Sequence, residues 1–184
     1  MIHLVSSNSC VAIGEVGIDL TSKCSIHSNC HNETCSQRIR HQQIQFFQEC
    51  VLLSKNVQKP LVIHCRDSGN GEAANIALNV LIDSDALQLQ IHRHCFSGTI
   101  EELTLWIDKL PNVKFGITSK HLTANTLKKI PLNKLLLESD SPYLSPHGPW
   151  YISSLATQVS KILNIPPTVL IKICNKNARE VYNV

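Results

Sequence analysis

Glu15, His64, His92, His94 and Asp140 are the residues of this chain whose types and positions could carry out hydrolytic chemistry. Four lie at or near the ends of short β-branched runs, Val11–Glu15, Leu61–His64, Gln90–His94 and Leu135–Asp140; a fifth run, Val113–Ile117, ends in no such group. Imidazole mixed with carboxylate suits a divalent ion of borderline softness such as Zn²⁺, Mn²⁺ or Co²⁺, whereas an all-oxygen set would favour Mg²⁺ or Ca²⁺. Such an ion brings the pKa of bound water toward ~7 and stabilises charge on a phosphoryl or acyl oxygen. Asp140 could orient or deprotonate that water. Taken singly, each residue has a plainer use: Glu15 as a solvated turn carboxylate, His64 as a hydrogen-bonded structural histidine, Asp140 as an Asx-turn ahead of Pro142. Period-two geometry puts His92 and His94 on one strand face with Arg93 opposite, and His92 is expected to sit deeper as a packed or supporting group. Nucleophilic catalysis fits less well, because no Ser lies in a nucleophile elbow and no Cys has a fixed His partner in the sequence.

Residues this far apart converge only if the strands that carry them open onto one face, as the carboxyl ends of a parallel α/β sheet or barrel do. The intervening segments have the required helical character. Apolar residues recur with helical period over Gln37–Asn56, good helix formers fill Gly71–Leu81, and Thr99-Ile100-Glu101-Glu102 has capping-box spacing at the head of another helix. Further helices are expected over Thr123–Ile130, Ile152–Leu163 and Thr168–Tyr182. Strands alternating with helices point to an α/β fold with a parallel sheet.

With 184 residues and 43% hydrophobic content, one sizeable core and one domain are expected. The net charge of +3, from 17 basic and 14 acidic residues without long runs, permits a polyanionic partner without demanding one. No apolar stretch of about 18 residues and no secretion signal is present, so an intracellular protein, cytoplasmic or nuclear and without membrane association, is expected. Cys10, Cys50, Cys65 and Cys174 sit in apolar surroundings and read as reduced packing residues. Cys24, His27, Cys30, His31 and Cys35 crowd one polar stretch; their spacing fits no common zinc module, so a surface loop is preferred to a structural zinc knot.

Four segments, Gly14-Glu15-Val16-Gly17-Ile18-Asp19, Pro60-Leu61-Val62-Ile63-His64-Cys65-Arg66-Asp67, His94-Cys95-Phe96-Ser97-Gly98 and Glu138-Ser139-Asp140-Ser141-Pro142-Tyr143-Leu144, together resemble the TatD family of metal-dependent deoxyribonucleases, which are amidohydrolase-like TIM barrels. The helix before Pro60 and the terminal Asn177-Ala178-Arg179-Glu180-Val181-Tyr182 extend the likeness over essentially the whole chain. Lys23-Cys24 and His92-Arg93-His94 look most like the eukaryotic TatD-domain-containing branch. The resemblance implies up to two divalent metal ions (Zn, Mn, Co or Mg), with Glu15 bridging them, His64 and His94 binding one, and Asp140 serving the other and the catalytic water. Glu15 and Asp140 are thereby the catalytic pair, and Arg66 is the candidate substrate-binding residue. It also implies phosphodiester hydrolysis of DNA, with RNA as a second substrate, often from the 3′ end, in DNA catabolism; protein partners are not implied.

The family opens with a His-x-His pair that His3-Leu4-Val5 does not reproduce, and a TIM barrel usually takes ~250 residues. The expectation is therefore an incomplete (β/α) barrel of about five parallel strands with flanking helices, a single domain over 1–184 lacking the first three βα units. Two functional readings follow. One is a metal-dependent nuclease, active as it stands or within a longer enzyme; the other is a catalytically inactive, truncated family member that retains at most metal or partner binding. A hydrolase of cyclic amides fits the superfamily but not these motifs.

Overall fold

β-branched runs and amphipathic segments alternate along the chain, and the structure turns them into strands and helices in the same order. The computed structural model describes residues 5–7, 9–21, 33–120, 123–144 and 148–184. It divides into two compact units, Met1–Leu89 and Gln90–Val184.

The first unit runs β1 (Ile13–Asp19), α1 (Glu33–Val57), β2 (Leu61–Arg66) and α2 (Glu72–Asp83). β1 and β2 pair in parallel, Gly17 opposite His64 and Asp19 opposite Arg66, with an irregularity in register between Ile13 and Val16. Glu15 falls in that irregular stretch. A side chain at Gly17 would overlap the His64 carbonyl, so only glycine allows this close approach of the two backbones. Ile18, Leu61 and Ile63 from the strands, Phe47 and Val51 from α1 and Ala77 and Leu81 from α2 are fully buried. Each large apolar side chain so buried contributes about 1.5–3 kcal/mol. Asp67, just after β2, ties the connection to α2: its carboxylate accepts from the N–H groups of Gly69 (2.7 Å) and Ala73 (2.9 Å).

The second unit runs β3 (Ile91–Arg93), α3 (Ile100–Lys109), β4 (Val113–Ile117), a short α4 (Ala124–Leu127), β5 (Leu135–Leu137), α5 (Ile152–Leu163) and α6 (Pro167–Tyr182). β3 pairs with β4 and β4 with β5, all parallel; His92 lies opposite Lys114 and Gly116 opposite Leu136. Every residue of β4 is buried, the signature of a strand covered on both faces. Its one charge, on Lys114, is met by Glu180 at 2.6 Å and the carbonyl of Asn133 at 2.8 Å. From α6, buried Asn177 donates to the carbonyls of Leu132 and Leu135, fastening the helix across the entrance to β5. The Thr99 hydroxyl accepts from Glu102 N–H and so caps α3, while the Glu102 carboxylate faces buried Arg93 at 3.3 Å.

Three sequence expectations shift. The first run does not end at Glu15: β1 begins at Ile13 and continues through Val16-Gly17-Ile18-Asp19, so Glu15 is inside a strand. The last run stops at Leu137, and the helix expected over Thr123–Ile130 is one turn, closed off before Pro131. Cys24, His27, Cys30 and His31 lie outside the described residues, and Cys35 belongs to α1. Among the described residues, Cys10, Cys50, Cys95 and Cys174 are free thiols, and no described helix is long and apolar enough to cross a membrane.

Candidate functional site

Within the first unit, pleat and register bring Glu15 and His64 together: His64 Nδ1 lies 2.7 Å from Glu15 Oε1. The opposite nitrogen, Nε2, lies 3.5 Å from Asp19 Oδ2. Asp19 is itself fixed, its other oxygen accepting from the backbone N–H (2.8 Å) and the hydroxyl (2.6 Å) of Thr21. Burial alone would raise its carboxyl pKa, but the two Thr21 bonds and the charges of Arg66 and His64 outweigh that and hold it below the usual value. Arg66 extends from the end of β2, its guanidinium 3.3 Å from Asp19 Oδ2 and its side chain 59% exposed. A polar cleft of about 340 Å³ lies beside Asp19, lined also by Arg40, Gln43 and Glu72.

In the second unit the geometry centres on Glu138, which the sequence reading passed over. Its Oε1 accepts from His94 Nδ1 at 2.7 Å and faces His92 Nε2 at 2.8 Å, while Oε2 accepts from the Cys95 N–H at 2.8 Å. The His92 contact is within hydrogen-bond distance but off the line of a straight bond. Glu138 is deeply buried, which by itself would raise its pKa; the His92 and His94 contacts overcome that and hold the carboxyl well below the carboxylate range. Gly116 makes the arrangement possible, since a Cβ there would overlap the Glu138 carboxylate and come within 2.5 Å of His92 Nε2.

With Nδ1 of His94 turned to Glu138, its Nε2 points toward Asp140, 3.9 Å from Oδ1. Cys95 and Asp140, which frame this pair, both adopt positive φ (45° and 47°). Positive φ is uncommon for a thiol-bearing residue and better tolerated by Asp; such conformations concentrate at functional sites. The Cys95 Sγ lies 3.5 Å from the Thr118 hydroxyl, and burial followed by the nearby Glu138 and Asp140 charges pushes its thiol up despite that contact.

Among the described residues, His92, His94 and Glu138 form one group close enough to share an ion, and His94, Cys95 and Asp140 form another. Donor spacing separates them. Ligands ~2.0–2.2 Å from a tetrahedral ion stand well over 3 Å apart. The contacts of 2.7 and 2.8 Å in the first group are therefore hydrogen-bonding distances, while the 3.9 Å from His94 Nε2 to Asp140 Oδ1 suits two ligands of one ion. The imidazole–carboxylate donor set fits a borderline divalent metal at His94 and Asp140, with Glu138 orienting the histidine.

The structure thus pairs Glu15 with His64 and His94 with Asp140, places Arg66 on Asp19, and makes His92 a supporting group beneath the His94 pair. The sequence reading missed Glu138 and Asp19. Both were legible in principle: Glu138 is two residues before Asp140, and Asp19 closes the first motif.

The TatD related DNase family profile matches residues 1–183. Among curated proteins, the human 3′-5′ RNA nuclease TATDN2 is 25% identical over 95% of this chain and 23% of its own length. The Bacillus subtilis protein named uncharacterized metal-dependent hydrolase YabD is 26% identical over 99% of this chain and 69% of its own length. The 3′-5′ ssDNA/RNA exonuclease TatD of Rahnella is 29% identical over 94% and 65%. Human and bacterial relatives are thus about equally similar, and the nearness to a eukaryotic branch finds no support. A crystal structure of the Escherichia coli TatD homologue YJJV superposes with a TM-score of 0.77 at 20% identity, covering 96% of this chain and 65% of that one. The chain spans 23% of the human relative's length and about two thirds of the others. With five parallel-paired strands flanked by helices and a profile match over nearly its whole length, the chain belongs to the TatD related DNase family.

Proposed function

We propose that this chain is a metal-dependent phosphodiester hydrolase of single-stranded DNA or RNA, with His94 and Asp140 supplying metal ligands in the second unit and His64, oriented by Glu15, offering a further ligand in the first. The carrying observation is the state of His94: its Nδ1 is committed to Glu138, so the opposite nitrogen is presented beside Asp140 at a spacing suited to a shared ion. The names of the Rahnella and Bacillus relatives, an ssDNA/RNA exonuclease and a metal-dependent hydrolase, agree with this reading.

When bound, the metal would acidify water and offset charge building on the phosphoryl oxygens. The protein's own groups do the rest. Asp140, held beside His94 by its left-handed backbone, accepts the proton of the attacking water. Glu15, hydrogen-bonded to His64, keeps that imidazole in one orientation. Arg66, steadied by Asp19 yet largely exposed, offers a planar fork of donors to a phosphate. Beyond Asp140, the rings of Tyr143 and Trp150 are 85% and 73% exposed and suit stacking of unpaired bases.

Titration with Mn²⁺ or Co²⁺ by calorimetry tests the ligand set. The chain should bind, and His94→Ala and Asp140→Ala should each weaken binding at least tenfold. Equal binding by both variants and the parent would overturn the assignment.

A further inference from the structure

The last residue of the C-terminal helix reaches the His94 site through a single hydroxyl. Tyr182 Oη lies 2.5 Å from His92 Nδ1, and the two rings meet edge to face with centroids 6.0 Å apart. His92 is only 6% exposed, and its other nitrogen faces Glu138 Oε1, the oxygen that also holds His94 Nδ1.

Proton bookkeeping gives this chain of contacts a direction. A neutral imidazole has one N–H and one lone pair, and a carboxylate only accepts. The proton of His92 therefore belongs on Nε2, toward Glu138; Nδ1 accepts, and the Tyr182 O–H donates to it. His94 meets the same carboxylate from its own side with Nδ1–H. All donors then run toward Glu138, and the only nitrogen of the set turned outward beside Asp140 is Nε2 of His94. The room for this is cut by Gly116, whose missing side chain would occupy the space of both the Glu138 carboxylate and His92 Nε2.

We propose that Tyr182 is a positioning residue for His94: its hydroxyl fixes the tautomer and tilt of His92, His92 fixes Glu138, and Glu138 presents Nε2 of His94 as a ligand. The proposal rests on the reading of His94 as a metal ligand. The aromatic ring of Tyr182 alone could fill space; the hydroxyl is what orders the nitrogens, and Tyr182→Phe removes only the hydroxyl.

The test combines ¹⁵N-detected long-range NMR of the histidine rings in the full chain with Co²⁺ binding followed by visible absorption. In the parent chain, His92 should carry its proton on Nε2 and His94 on Nδ1. Tyr182→Phe should mix the His92 tautomers, weaken Co²⁺ binding about tenfold and alter the Co²⁺ band, while the thermal midpoint stays within a few degrees. A parent His92 protonated on Nδ1 would overturn the proposal without recourse to any variant. So would Tyr182→Phe with unchanged tautomers and unchanged Co²⁺ binding. His94→Ala separates the two readings: if it binds Co²⁺ as the parent does, the ligand assignment fails, while the His94 proton position in Tyr182→Phe still decides whether the hydroxyl orders that ring.

Discussion

Replacing Gly116 by Ala should destabilise the protein, although the general expectation for such a change runs the other way. Gly116 does not have positive φ, so Ala meets no backbone strain, and the loss of unfolded-state freedom alone would add about 0.4–1 kcal/mol of stability. Against this stands the overlap of the new Cβ with the Glu138 carboxylate, together with a 2.5 Å approach to His92 Nε2. Glu138 must move, and it cannot do so while keeping His94 Nδ1, His92 Nε2 and the Cys95 N–H in place. A hydrogen bond to a charged group is worth about 1.5–3 kcal/mol. Loss of one, set against the entropic gain, leaves a net cost of about 0.5–2.5 kcal/mol. At about 2–4 °C per kcal/mol for a chain of this size, the thermal midpoint should fall by roughly 1–10 °C. Differential scanning calorimetry of the two proteins at neutral pH reads this directly. A midpoint equal to or above the parent's would refute the argument that Gly116 is there to admit Glu138.

Burial, followed by the Glu138 charge, pushes the Tyr182 hydroxyl up to about 12. Because its folded value exceeds the unfolded one near ~10, its contribution to stability is complete below pH ~10 and is lost as pH rises toward 12. Tyr182→Phe should flatten the alkaline limb of the stability curve, and the same steep decline in both proteins would count against a buried, hydrogen-bonded hydroxyl. Asn177→Ala strips its amide donor from the carbonyls of Leu132 and Leu135 and should cost about 1–3 kcal/mol in urea unfolding; a change below half a kcal/mol would show that α6 is held otherwise. Arg66→Ala should raise KM for a single-stranded oligonucleotide about tenfold with little change in kcat, as expected for loss of a uniform phosphate contact; a kcat effect alone would place Arg66 in the chemical step. Cys174, pushed up to about 12 by burial, should resist a thiol reagent at pH 8 in the native protein and react once the chain is unfolded.

The sequence made the elements easier to see than their ends. Val113–Ile117 and Ile152–Leu163 fall where periodicity puts them, because an uninterrupted apolar run and a clear amphipathic stripe leave little ambiguity. β1 was cut short at Glu15 because a Gly-Glu pair followed by another Gly reads as a turn; its continuation to Asp19 is decided by pairing with Ile63–Arg66, a tertiary fact. The opposed faces of His92 and Arg93 followed from strand alternation: Arg93 packs over Phe96 and Trp106 while His92 turns to Glu138. Glu138 could be noticed from its place two residues before Asp140, but its organising role could not, since that depends on a glycine in another strand and a tyrosine at the far end of the chain. Motif order pointed to candidate ligand types; the hydrogen bonds that aim them belong to the folded chain.

The central proposal is that this chain hydrolyses phosphodiesters, with Asp140 helping to hold the metal the reaction would use and accepting the proton of the attacking water. Turnover of an end-labelled single-stranded DNA by the parent chain and by Asp140→Asn, each with Mn²⁺ and with excess chelator, tests it most directly. Hydrolysis by the parent that requires Mn²⁺ and is lost in Asp140→Asn is the predicted result. Hydrolysis that persists in chelator or in Asp140→Asn, or none above background with any divalent metal, would contradict it.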